Sequence, residues 1–182
     1  MKRFLVFACG LLLCGLALAD SVADAPFNLT GRISVRQQDT PYYGNLSWQH
    51  ATDGDDLVLS APTGQGVAEL HRDKDGAELQ MSDGKRYLAP TLDDLAGRLF
   101  GVALPLAQLP GWMRGIAPDA QLDEQKRPVR LVLADWTVEW LRWSDDGRPV
   151  LIVLEKTDAS VSARLRIDTW SEGDATRMEK AP

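Results

Sequence analysis

Phe27-Asn28-Leu29-Thr30-Gly31-Arg32-Ile33-Ser34-Val35-Arg36 alternates at every position. Phe27, Leu29, Gly31, Ile33 and Val35 share one side, and Asn28, Thr30, Arg32, Ser34 and Arg36 the other. A period of two with one apolar side is the pattern of a strand with one face buried.

The same pattern spreads outward. Asp39-Thr40-Pro41 predicts a turn. The next strand carries Tyr42, Gly44, Leu46 and Trp48 on one face and Tyr43, Asn45, Ser47 and Gln49 on the other. Asp53-Gly54-Asp55 predicts a second turn. Leu57, Leu59 and Ala61 follow, then Pro62-Thr63-Gly64, then a strand from Val67 to Arg72. A short strand around Leu79 and Met81 leads through the hairpin signal Asp83-Gly84 to Arg86-Tyr87-Leu88. Six strands with short turns make an antiparallel meander.

At Thr91 the period changes. Thr91 is a helix cap with Asp93 and Asp94 in the first turn. Leu92, Leu95, Leu99 and Phe100 recur at helical spacing, and Gly101 ends the run. A second helical stretch runs from Pro105 through Leu106, Leu109, Trp112 and Met113 to Gly115, and Pro110 breaks it. Strands resume at Val129 and continue to Trp170. A single strongly curved antiparallel sheet is expected, with the helical insert over one face or mouth, because sheets of this size curl to protect their edges.

The N-terminus reads as a leader. Lys2 and Arg3 precede the apolar run Phe4–Leu16, and Ala17-Leu18-Ala19 is a small-residue cleavage site. Residues 1–19 are therefore expected to be a signal peptide, 20–170 one β domain and 171–182 a polar, disordered tail. Both cysteines, Cys9 and Cys14, lie within the leader, so cleavage after Ala19 leaves no disulfide, thiol nucleophile or cysteine metal site. The competing cut is a lipoprotein signal that keeps one of the two as a lipid anchor. Cys14 follows Leu13, a poor residue there, and Cys9 has only a short apolar run before it.

The 182-residue chain has a net charge of −6 and no basic run, which argues against nucleic acid. Little else carries chemistry. His50 and His71 sit at strand ends among polar residues and are expected at the surface. Asp53, Asp55 and Asp56 lack the spacing of a calcium loop. No phosphate loop, nucleophile elbow or dinucleotide fingerprint occurs. The apolar inventory says more. The helical insert concentrates large apolar groups, so it either packs as core or lines a pocket.

Several motifs, in order, resemble the LolB family, the outer-membrane receptors for lipoproteins. They are Phe27–Ile33, Ser47-Trp48-Gln49, Leu57–Gly64, Leu104-Pro105-Leu106 with Trp112, and Ile167-Asp168-Thr169-Trp170. The resemblance implies a mainly β fold: a half-open antiparallel barrel of about ten or eleven strands under a short helical lid inserted mid-chain. It implies a cavity that takes lipoprotein acyl chains from a LolA-type periplasmic carrier and releases them to the outer membrane. It implies no cofactor, and the residues themselves show no metal-ligand spacing. The cavity is expected to use Leu46, Trp48, Leu57 and Leu59 from the strands, and Leu95, Leu99, Phe100, Trp112 and Met113 from the lid. The family's loop after the third strand presents a leucine to the membrane, and Pro62-Thr63-Gly64 stands there instead.

The expected protein is exported, monomeric and non-enzymatic. It works in the periplasm or on the inner leaflet of the outer membrane. Two rivals remain: a soluble lipid or lipoprotein carrier that never anchors, and a β module that binds another envelope protein along a sheet edge.

Overall fold

The computed structural model describes residues 25–37, 40–100, 106–158 and 160–173. Eleven strands form one antiparallel sheet. They are β1 Phe27–Gln37, β2 Thr40–Ala51, β3 Gly54–Ser60, β4 Gly66–Asp73, β5 Gly76–Met81, β6 Arg86–Ala89, β7 Gln121–Leu122, β8 Pro128–Leu133, β9 Trp136–Trp143, β10 Pro149–Lys156 and β11 Val161–Glu172. Their order is β6-β5-β4-β3-β2-β1-β11-β10-β9-β8-β7. The sheet is open, because β6 and β7 are its two edges. The expected half-open architecture and strand number hold.

The first strand of the alternation becomes the middle of the sheet. β1 pairs with β2 on one side and with β11, the last strand, on the other. Its odd residues Phe27, Leu29 and Gly31 are buried and its even residues Asn28, Thr30 and Arg32 exposed. A bulge opposite Thr30 and Gly31 shifts the register with β11. There the Arg166 carbonyl lies where a Cβ on Gly31 would meet it at 2.3 Å, so glycine is required.

The insert folds as helix α1 Leu92–Phe100, a 3-10 turn Leu106–Gln108 and a short helix α2 Leu109–Met113. The Thr91 hydroxyl accepts from the Asp94 N–H at 3.1 Å and donates to the Asp94 carboxylate at 2.8 Å, a reciprocal cap. The break at Pro110 also holds. It falls within the first turn of α2, where its missing N–H costs nothing.

Two residues depart from expectation. His50 is not at the surface: it is 3% exposed. Asp55 is not a turn residue: β3 already begins at Gly54, and Asp55 is 2% exposed. The physical reason is register. His50 continues the inward side of Leu46 and Trp48, and β2 pairs it with Asp55. His71 does lie on the outward side, half-exposed beside Asp56 and Asp73. β11 runs to Glu172, two residues past Trp170.

Candidate functional site: the concave face

Strand register lines up the concave face in rows. Gly31, Leu46, Leu59, Ala68 and Met81 stand opposite one another from β1 to β5. The next row is Leu29, Trp48, Leu57, Leu70, Leu79 and Tyr87. Both rows are apolar apart from the tips of Trp48 and Tyr87. Phe27, His50, Asp55, Arg72, Ala77 and Ala89 form the third, with three polar groups at its centre.

That third row lies at one end of this apolar face. Trp48 Nε1 donates to Asp55 Oδ1 at 2.8 Å, and His50 Nδ1 lies 2.7 Å from the same oxygen. Arg72 Nε donates to Asp55 Oδ2. Burial raises the Asp55 pKa, but the hydrogen bond and charge of His50, then Trp48 and Arg72, outweigh it and hold the carboxyl below its usual range. The His50 and Asp55 side chains are 0% and 1% exposed.

Beside this row an aromatic group gathers the chain ends. Phe27 stacks on Trp170, with centroids 4.5 Å apart, and meets Trp48 edge-on at 5.0 Å. The Arg114 guanidinium lies over both Phe27 and Trp170, at 5.5 and 5.3 Å. Its Nη2 donates to the carbonyls of Ala25 and Pro26 and to Glu172, each at 2.9 Å. The Gly173 N–H donates to the Pro26 carbonyl at 3.0 Å. Nothing in the local sequence marks Arg114, because its partners are distant along the chain.

The apolar side chains divide into two packed clusters. The larger holds Leu46, Trp48, Trp112 and Met113 with the inner residues of β8–β11. Trp140 Nε1 donates to the Trp112 carbonyl at 3.0 Å, which fixes α2 against β9. The smaller holds Leu95 and Leu92 of α1 against Ala68, Ala77, Leu79 and Ala89. Leu59 packs on both. Thus Leu46, Trp48, Trp112 and Met113 come together, and Leu95 stands apart from them. Leu57, on the larger cluster, and Leu59, on both, are only partly buried. The side chains of Leu99 and Phe100 lie outside the described residues, as do Leu104, Pro105 and the two cysteines Cys9 and Cys14.

The β3–β4 turn is polar and tight. Pro62, Thr63 and Gly64 are exposed. The Gly64 N–H donates to the Ala61 carbonyl and the Ala61 N–H to the Gln65 carbonyl, both at 2.8 Å. Gly64 has φ +90°, a conformation that favours glycine.

Residues 25–170 match the family model described as "Outer membrane lipoprotein LolB". The chain belongs to the LolB family. An outer-membrane lipoprotein LolB from Nitrosomonas europaea is 35% identical over 85% of this chain and 79% of that protein. Another, from an Azoarcus species, is 34% identical over 80% and 78%. Among solved structures, a LolA superfamily protein from Nitrosomonas europaea superposes with a TM-score of 0.54 at 11% identity, over 86% of this chain and 90% of that one. A putative outer membrane lipoprotein-sorting protein domain from Vibrio parahaemolyticus gives 0.56 at 11%, over 89% and 92%. These two show the shared fold. With LolB membership, the expected part in lipoprotein localisation at the outer membrane stands.

Proposed function

We propose that this LolB-family chain takes the acyl chains of a lipoprotein from a LolA-type carrier into the trough between its two apolar clusters. The observation that carries this reading is the partly buried strip at Leu57 and Leu59. It lies between an α2 fixed to β9 and an α1 whose described apolar residues pack on Ala68 of β4, Ala77 and Leu79 of β5 and Ala89 of β6. Lifting α1 from the smaller cluster would widen the strip while β1, β11 and the His50–Asp55–Arg72 group keep their own contacts. Acyl burial then supplies roughly 25 cal/mol per Å² of apolar surface. The reaction is transfer between apolar sites with no covalent change. The buried Asp55 carboxylate is taken up by Trp48, His50 and Arg72, a structural use that supports a non-enzymatic role. A monomer suffices, since one sheet supplies both walls.

The purified protein should bind a fluorescent fatty-acid analogue saturably. Leu57→Glu should weaken that binding about tenfold or more, the worth of one buried leucine. A folded protein with no saturable binding removes the trough reading. Transfer from a loaded carrier then separates receptor from stand-alone carrier. Mass spectrometry of the mature N-terminus separates a diacylglyceryl cysteine from Asp20.

A further inference from the structure

The convex face of the sheet is electrically divided. From β1 through β11, β10, β9 and β8 its outward positions carry Arg32, Arg36, Arg130, Arg142, Arg164 and Arg166, all exposed. Arg32 stands opposite Arg166, and both reach Arg142 through Leu151 of β10. The carboxylates at its outward strand positions are Asp168, Glu139 and Glu155, and Asp135, Asp145, Asp146 and Asp158 lie in the hairpin turns at its ends, Asp146 and Asp158 paired with Arg148 and Lys156. Asp168 is shared by Arg32 and Arg166, at 2.9 and 3.2 Å, and Glu139 lies 3.4 Å from Arg130. Arg36, Arg142 and Arg164 are in no ion pair among the described residues. Six cations against three anions at the outward strand positions stand out in a chain of net charge −6. The other wing is acidic, with Asp56, Glu69, Asp73 and Glu78 outward on β3–β5.

We propose that the arginine wing is the surface with which this protein lies on the anionic phospholipid headgroups of its membrane. All six cations are arginines, whose planar guanidinium pairs two-pronged with phosphate. Exposed aliphatic groups border the same wing: Leu122 on β7, Val132 on β8 and Leu141 on β9, at 54%, 60% and 52% exposure. Cations with aliphatic neighbours suit the boundary between headgroup and acyl layer better than a purely acidic protein surface. The β3–β4 turn, with Pro62 and Thr63 at its tip, supplies no large apolar group for this purpose. With the convex wing down, the concave trough faces away from the bilayer, open to a carrier arriving through water. The inference rests on the chain's part in lipoprotein localisation at the outer membrane, and not on the trough holding acyl chains.

The test compares the purified processed protein on phosphatidylethanolamine vesicles containing phosphatidylglycerol with the same protein on phosphatidylcholine vesicles. A lipid anchor would add equally to both and cancel in the ratio. The ratio should favour the anionic vesicles strongly and collapse near 1 M salt, where the Debye length is about 3 Å. Arg36→Gln/Arg142→Gln/Arg164→Gln breaks no described ion pair. It should lower the ratio by roughly fivefold per arginine, on the order of a hundredfold in all, with fatty-acid binding unchanged as the check on folding. A wild-type ratio near one, or a triple variant that keeps the preference, overturns the proposal. So does a triple variant that loses a LolA-type carrier but not the vesicles, since the face would then belong to an acidic protein. Fatty-acid binding without anionic preference overturns this inference and leaves the trough reading standing.

Discussion

Asp55 accepts from Trp48, His50 and Arg72 with 1% of its side chain exposed. Its folded-state pKa lies below the usual carboxylate value. The native state therefore binds that proton less readily than the unfolded chain. The stability this supplies is complete above the unfolded value near 3.9 and is lost as pH falls through the folded one. Asp55→Asn should lower stability by about 3 kcal/mol near neutral pH, the scale for breaking a buried pair. It should also flatten the acid limb, as urea denaturation across that range would show. A variant with an unchanged acid limb would mean that Asp55 is not the group titrating. Asp55 was legible in part. Counting by twos from Leu46 and Trp48 lands on His50, and counting back from Leu59 and Leu57 lands on Asp55. Their polarity and the nearby Gly54 suggested surface and turn instead. Inward alternation prevailed because each polar group found a partner across the strand pair.

Among the elements, α1 depends on its cap. Thr91 and Asp94 satisfy each other, and Asp93 accepts from the Ala107 N–H at 3.2 Å, which ties the helix to the 3-10 turn. Thr91→Ala should cost about 1 kcal/mol and raise amide exchange over 92–100 roughly fivefold while β1 and β11 keep their protection. Equal acceleration everywhere would show that the helix does not open separately. The cap, the leucine spacing and the break at Pro110 were all readable, because each is a local signal. β7 was not. Two residues, Gln121 and Leu122, are too few to display a period. Strand pairing order was equally hidden, since β1 and β11 meet across nearly the whole chain.

At the scale of the molecule, two clusters share one sheet and meet at Leu59. Leu95 is 1% exposed in the smaller. Leu95→Ala should cost about 2–5 kcal/mol, and the loss should be local. Hydrogen exchange should quicken in β5, β6 and α1 before it does in β1, β9 and β11. Uniform quickening would mean a single cooperative core instead.

The Arg114 contacts also determine how the molecule bears a pull. Arg114 grips the Ala25 and Pro26 carbonyls where the chain enters β1, and β1 is flanked by β2 and β11. A line drawn taut from ahead of residue 25 therefore tugs along the axis of a central strand. Hydrogen bonds on both flanks take that tension in shear, all at once, rather than peeling from an edge one after another. A domain hung from this point can be dragged by its leash while the trough keeps its shape.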